Sequence, residues 1–266
     1  MSTSHTPSNA PGKEHQVLQF VLSNPQLKGS PEKILGAIEE FSQKDPLIII
    51  GKYKGKLVLD AIREKEPTIM LELGCYVGYS AILFGAELAK QNEKYSDPGN
   101  TPAKYFSFEI SQEYADIARQ IVDFAGLSST VEIIVGAAGR TIPEFHHRLK
   151  EHFRNFTPAD IVFVDHAKHL YLPDLRVLET TGLIAPETVI LADNIFVPGA
   201  PDYVRYVQGS PEYRRNHNEA VRNVSNPGCA GRWNMLYDSS TVPVENPETG
   251  LKDAVEITKC VSYLSG

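Results

Sequence analysis

Residues 1–13 are polar and rich in Ser, Thr, Pro and Asn, a composition that predicts a disordered tail. From Glu14 onward apolar residues recur at helical spacing, and HQVLQFVLSN reads as a first helix. Gly29-Ser30-Pro31 marks the start of a second, with Ser30 at the N-cap, Pro31 at the first helical position, and Ile34, Leu35, Ile38 and Phe41 as its stripe. Leu57, Val58, Ala61 and Ile62 place a third over about Lys54–Glu66. The period then changes. Thr68–Leu73, Lys104–Ile110, Val131–Val135, Ala159–His166 and Thr188–Asn194 are short runs rich in Ile, Val and Leu and read as strands. Between them lie helices through Leu88, from Ser111 to Gly126, from about Pro143, and over Leu172–Thr180. Near-continuous apolar strands separated by helices are parallel strands buried on both faces. The prediction is an α/β fold: a doubly wound, Rossmann-like sheet, mostly parallel, with helices on both faces.

Past Asn194 the pattern weakens. Ala200–Val207 predicts a short helix, and Asn226–Gly250, rich in Asn, Pro, Gly and Ser, a loop or insertion. Asp253–Leu264 alternates like a final, antiparallel strand at or near an edge. The expected organisation is a tail (1–13) and one domain (14–266). That domain divides into N-terminal helices to about residue 66, a cofactor-binding core over about 67–207, and a variable part from 208.

Composition narrows the function. Lys and Arg number 26 against 33 Asp and Glu, and the net charge of −7 argues against a nucleic-acid backbone binder. Cys75, Cys229 and Cys260 are far apart and form no CxxC pair, which excludes a disulfide framework and points to a reducing compartment. The N-terminus has no apolar signal region, and Thr68–Ala89 is broken by Glu72, Glu87 and three glycines, so no membrane span is expected. A cytoplasmic enzyme with a small-molecule substrate fits these features; a monomer is the simplest assembly.

In such a sheet ligands bind beyond the carboxyl ends of the strands. The first strand ends in Glu72-Leu-Gly-Cys-Tyr-Val-Gly-Tyr-Ser80, a glycine turn that lacks the GxGxxG of a dinucleotide site. That absence counts against an NAD(P)-dependent oxidoreductase. Glu72 would repel a pyrophosphate but suits a cationic cofactor such as S-adenosylmethionine. Glu109, at the end of the second strand, can accept hydrogen bonds from ribose hydroxyls. Asp165 and Asp193-Asn194 end the fourth and fifth strands; two carboxylates and an amide oxygen form a hard set suited to Mg²⁺, although a lone Asp there is often only a helix cap. Lys168 lies three residues past Asp165 and is a candidate base, or else a salt-bridge partner of Asp165. His166 reads as a cofactor contact, and Arg214, Arg215 and Arg222 as a surface cluster.

Together these residues resemble the catechol O-methyltransferase family. The matching stretches are GKYKGK, LELGCYVGYSA, VDFAGL, VGAAGRTIP, VFVDHAKHLYLPD and LADNIFVPGAPDYV, running in order from about Glu14 to Val207, with a weaker match at GLKDAVEI. The resemblance implies an S-adenosylmethionine- and Mg²⁺-dependent enzyme acting on catechol-type vicinal diols, or on related phenolics such as caffeoyl conjugates. Ile50, Glu72, Tyr76 and Ser80 would hold the methionine part of the cofactor, Glu109 and Ile110 its ribose and adenine, and Ala138 and His166 would line the adenine. Asp165, Asp193 and Asn194 would bind Mg²⁺, with Asp165 also beside the cofactor. Lys168 would be the base, and Asn194 and Pro198 would face the substrate. Tryptophans that frame the family's site correspond here to Pro46 and Ala167, and a substrate-facing carboxylate falls near Asn223, with Glu219 or Glu245 as replacements. Trp233, Tyr53 or Phe196 are the aromatics available to fill the gap.

Overall fold

The computed structural model describes residues 12–95, 101–152 and 158–264. Three helices come first: α1 (Lys13–Leu22), α2 (Pro31–Lys44) and α3 (Gly51–Lys65). Five strands then alternate with helices: β1 (Ile69–Leu73), α4 (Tyr79–Lys94), β2 (Lys104–Glu109), α5 (Gln112–Phe124), β3 (Val131–Val135), α6 (Ala138–His152), β4 (Ile161–Val164), α7 (Tyr171–Thr181) and β5 (Val189–Ala192). The chain continues through α8 (Pro201–Val207) and α9 (Pro211–Ala220) to β6 (Met235–Glu245) and β7 (Lys252–Tyr263). The tail expected over 1–13 lies outside the described residues as far as residue 11, and Lys13 already opens α1.

The seven strands form one sheet in the order β3-β2-β1-β4-β5-β7-β6. β1 to β5 are mutually parallel; β7 runs antiparallel to β5, and β6 to β7. Alternate strand residues feed two cores, as the two-residue period of a strand requires. Met70, Tyr105, Ile161 and Phe163 pack toward α1–α5, while Ile69, Leu71, Phe106, Val162 and Val164 pack toward α6–α8. Ser111 caps α5 by accepting the Tyr114 amide at 3.2 Å, and Gly182 ends α7 in a left-handed conformation at φ 80°.

Three expectations are corrected. Residues 235–245, expected as loop, are an edge strand; its polar alternation and Pro243 are tolerated because one side of it is unpaired. The antiparallel part therefore has two strands, and β7 lies inside the sheet. α6 begins at Ala138, with Pro143 inside it. Proline has no N–H, so the Gly139 carbonyl loses its helical donor, and the Asn226 side-chain amide donates to it instead at 3.0 Å. Arg214, read as surface, is 1% exposed and donates to the carbonyls of Gly209 and Met235, tying α9 to β6.

Candidate active site

The strand order reverses between β1 and β4, and a cavity of about 800 Å³ opens there beyond the strand ends. The β1–α4 turn forms its floor. Gly74 has φ 98°, and a Cβ there would lie 2.5 Å from the Asp165 carbonyl oxygen, so glycine allows the turn to meet the end of β4. Glu109 fixes the same turn. One of its oxygens accepts the amides of Cys75 (3.1 Å) and Tyr76 (2.8 Å), and the other accepts that of Ser111 (2.9 Å). Its acceptor sites are not exhausted, since each carboxylate oxygen has two lone pairs.

Glu72 sits behind this floor, fully buried in β1. Its Oε2 accepts the Ser107 hydroxyl at 2.5 Å and its Oε1 has no partner. Burial pushes its carboxyl group up to about 7. A buried acid held so close to neutrality ionises readily when a cation binds nearby.

At the other end of the cavity β4 and β5 pair Val164 with Ala192, which sets Asp165 beside Asp193. About a fifth of the Asp165 side chain faces the cavity, yet burial, and then the charge of Asp193, push it up to about 6. Burial raises Asp193 as well. Two lysines balance the pair. Lys168 Nζ lies 3.0 Å from Asp165 Oδ1 and also donates to the Tyr171 hydroxyl, which in turn donates to the Asp193 carbonyl at 3.1 Å. Lys54 Nζ, from α3, lies 2.8 Å from Asp193 Oδ1 and 2.8 Å from Asp253 Oδ2.

Asp253 reaches the site because β7 is antiparallel, so that the start of β7 meets the carboxyl end of β5. Its Oδ2 also accepts Asn194 Nδ2 at 3.0 Å, and its Oδ1 accepts the amides of Phe196 and Val197 at 3.1 and 3.2 Å. Asn194 takes the left-handed region at φ 57°, and the Val197–Pro198 bond that follows is cis. With its amide nitrogen held by Asp253, Asn194 retains Oδ1 as an acceptor. Asp165, Asp193 and Asn194 thus present three hard oxygens, a donor set that can hold Mg²⁺. No group of three or more His, Cys, Asp and Glu side chains is placed to hold a metal among the described residues; this set works through an amide as its third member.

Of the sequence-predicted site residues, Ile50, Tyr76, Ser80, Glu109, Ile110, Ala138, Asp165, His166, Lys168, Asn194 and Pro198 line the cavity. Glu72 and Asp193 lie behind the wall. His166 Nε2 is 3.0 Å from Asp174 Oδ2, and its ring stacks on Tyr171. Ala167 lines the cavity and is exposed, whereas Pro46 is off it and Ile48 stands on the rim. None of the candidate aromatics fills the gap: Trp233 lies under Arg215 at 3.5 Å, Tyr53 donates to Glu248, and Phe196 is not on the wall. Nor do the candidate carboxylates reach it. Glu219 is exposed on α9, Glu245 pairs with Lys252 at the sheet edge, and Asn223 is buried against Pro173 and Cys229. Sequence reading missed Lys54, Tyr171 and Asp253. Lys54 stands in the GKYKGK stretch and Asp253 in the weaker GLKDAVEI match, but neither stretch points to a place in the site.

Residues 71–195 match the family described as a methyltransferase domain. The chain is 37% identical to catechol O-methyltransferase of Bos taurus over 77% of its own length and 70% of that protein. It is 39% identical to the Mus musculus catechol O-methyltransferase over 77% of this chain and 71% of that one. Among solved structures, the O-methyltransferase of Bacillus cereus, in complex with SAH, superposes with a TM-score of 0.57 at 17% identity, over 96% of this chain and 93% of that one. The chain belongs to the catechol O-methyltransferase family, and with it to the S-adenosylmethionine-dependent O-methyltransferases.

Proposed function

We propose that this protein transfers the methyl group of S-adenosylmethionine to one hydroxyl of a catechol-type aromatic, with Mg²⁺ as the resident metal and Lys168 as the base. The observation that carries the reading is the meeting of Asp165, Asn194 and Lys168 at one end of a cavity, with Asp193 directly behind them, while Glu109 and Ile110 build its other end. Mg²⁺, when bound, supplies a divalent charge that acidifies a phenol and orients two vicinal oxygens. Asp165 and Asp193 would hold that charge, with Asn194 Oδ1 as the third protein ligand. Asp165 and Tyr171 hold Lys168 Nζ in place as the group that takes the phenolic proton. S-adenosylmethionine, which Glu109, Ile110 and the β1–α4 turn would hold, would supply the methyl carbon to the deprotonated oxygen, its sulfonium becoming a neutral thioether. Holding the two atoms in line supplies much of the rate.

Ala167 and Ile48 leave the cavity wall open, which favours bulkier vicinal diols, conjugated phenolics among them, as a second substrate group. The three buried free cysteines fit a reducing, cytoplasmic setting. No helix among the described residues is long and apolar enough to cross a membrane. The test is transfer of a labelled methyl group to a size series of catechols, with Mg²⁺ and with excess EDTA. Transfer should require the metal and the second hydroxyl. Full activity in EDTA, or methylation of monophenols alone, overturns the reading.

A further inference from the structure

The segment between α9 and β6 has no role in the reaction as described, yet its tip reaches the cavity. Val224 and Ser225 line the wall together with Gly139 and Arg140 at the start of α6. That is the β2–β3 side of the sheet, away from the carboxylates on β4 and β5.

The segment is held on both flanks. Arg176, on α7, donates to the carbonyls of Ala230 (2.7 Å) and Val221 (2.9 Å). Asn223 is 2% exposed; its amide donates to Pro173 and Cys229, and its Oδ1 accepts the Ser225 amide at 3.0 Å. Asn226 donates to the Gly139 carbonyl that Pro143 leaves without a helical donor. A Cβ at Gly139 would lie 2.6 Å from Ser225 Cβ, so the backbone of α6 is shaped to receive the loop.

This anchoring leaves Val224 outward at the cavity. Val224 is 74% exposed although its neighbours are fixed, and Ile110, on the same cavity, is 69% exposed. Two branched apolar side chains on the rim of one cavity, on the side where Glu109 and Ala138 stand, form a surface that a flat apolar ring would cover. We propose that Val224 is a cofactor-binding residue, and that the 221–232 segment is an added outer wall for the adenine ring of the cofactor. The inference rests on the adenosylmethionine reading of the cavity.

Val224→Ala tests it, because a side chain so exposed contributes little to folding. Binding is measured by calorimetry with S-adenosylhomocysteine and with adenosine alone, without metal or phenol. The variant should bind both about threefold to tenfold more weakly, from lost apolar contact, at an unchanged melting temperature. Equal loss for the two probes places the contact on the nucleoside. Asn226→Ala, which releases the loop from Gly139, should weaken both probes in the same ratio. Wild-type binding with affinity unchanged in Val224→Ala overturns this inference alone. A wild type that binds no S-adenosylhomocysteine overturns the cofactor reading, and this inference with it.

Discussion

Replacing Glu72 by Gln isolates the effect of an ionisable group held inside the sheet. Glu72 pairs with Ser107 of β2 and Phe163 of β4 in register, has no exposed surface, and holds its proton up to about pH 7. In the unfolded chain the same group ionises near 4.5. Between these values the folded protein binds more protons than the unfolded one, so stability falls as pH rises. The contribution is fully present below about 4.5, is lost through about 7, and is flat above. A displacement of that size corresponds to about 3 kcal/mol. Glutamine keeps the shape and still accepts the Ser107 hydroxyl, but it does not ionise. Glu72→Gln should match the wild type near pH 4.5 and exceed its stability at pH 8 by up to about 3 kcal/mol. Urea unfolding of both proteins from pH 5 to 8 measures this. The difference between the curves is the quantity to plot, because Asp165 and Asp193 titrate in both. Glu72→Gln should also weaken cationic S-adenosylmethionine more than the neutral thioether product. Parallel pH curves for the two proteins would refute the argument.

Lys168→Met keeps the length of the side chain without a basic nitrogen, and should lower kcat by about 10²–10⁴-fold while leaving cofactor affinity in place; near-normal turnover moves the base elsewhere. Asp253→Asn turns an oxygen that accepts from Lys54 and Asn194 into a donor facing two donors. It should lower stability by about 1–3 kcal/mol and weaken Mg²⁺ binding in calorimetry; wild-type values in both would make the network incidental. Ala167→Trp closes the open wall, since a Trp side chain buries about 150–250 Å². Methyl-transfer rates across a catechol size series should then favour small substrates and a single regioisomer, and an unchanged product ratio counts against the open wall.

The parallel half of the fold was legible because strands such as Ile69–Leu73 and Ile161–Val164 are buried on both faces and therefore apolar, Glu72 being the exception. β6 was not. An edge strand carrying Asp238, Ser239, Ser240, Thr241 and Pro243 has the composition of a loop, and only its pairing with β7 makes it a strand. The start of α6 was misplaced because Pro143 carries a helix-start signal, and the donor that tolerates it inside the helix is Asn226, far along the chain. The carboxylates and Lys168 could be read because strand ends name their own position. Asp253 could not, since its place depends on β7 doubling back beside β5. The substrate wall was half legible: the missing aromatics at Pro46 and Ala167 were visible, but not that Trp233 would lie under Arg215.

The position of β7 between β5 and β6 has a consequence for how the enzyme is made. During synthesis the five parallel strands leave the ribosome first and can assemble while the last stretch of chain is still being added. β6 then has no partner in the sheet until β7 emerges, because β7 stands between it and β5. The two must meet as a hairpin and dock together onto an already formed edge. That docking delivers Asp253 to Lys54 and Asn194, so the polar network at the end of β5 is finished only with the final strand. A chain stalled before β7 would hold most of its core yet leave Lys54 and Asn194 without Asp253.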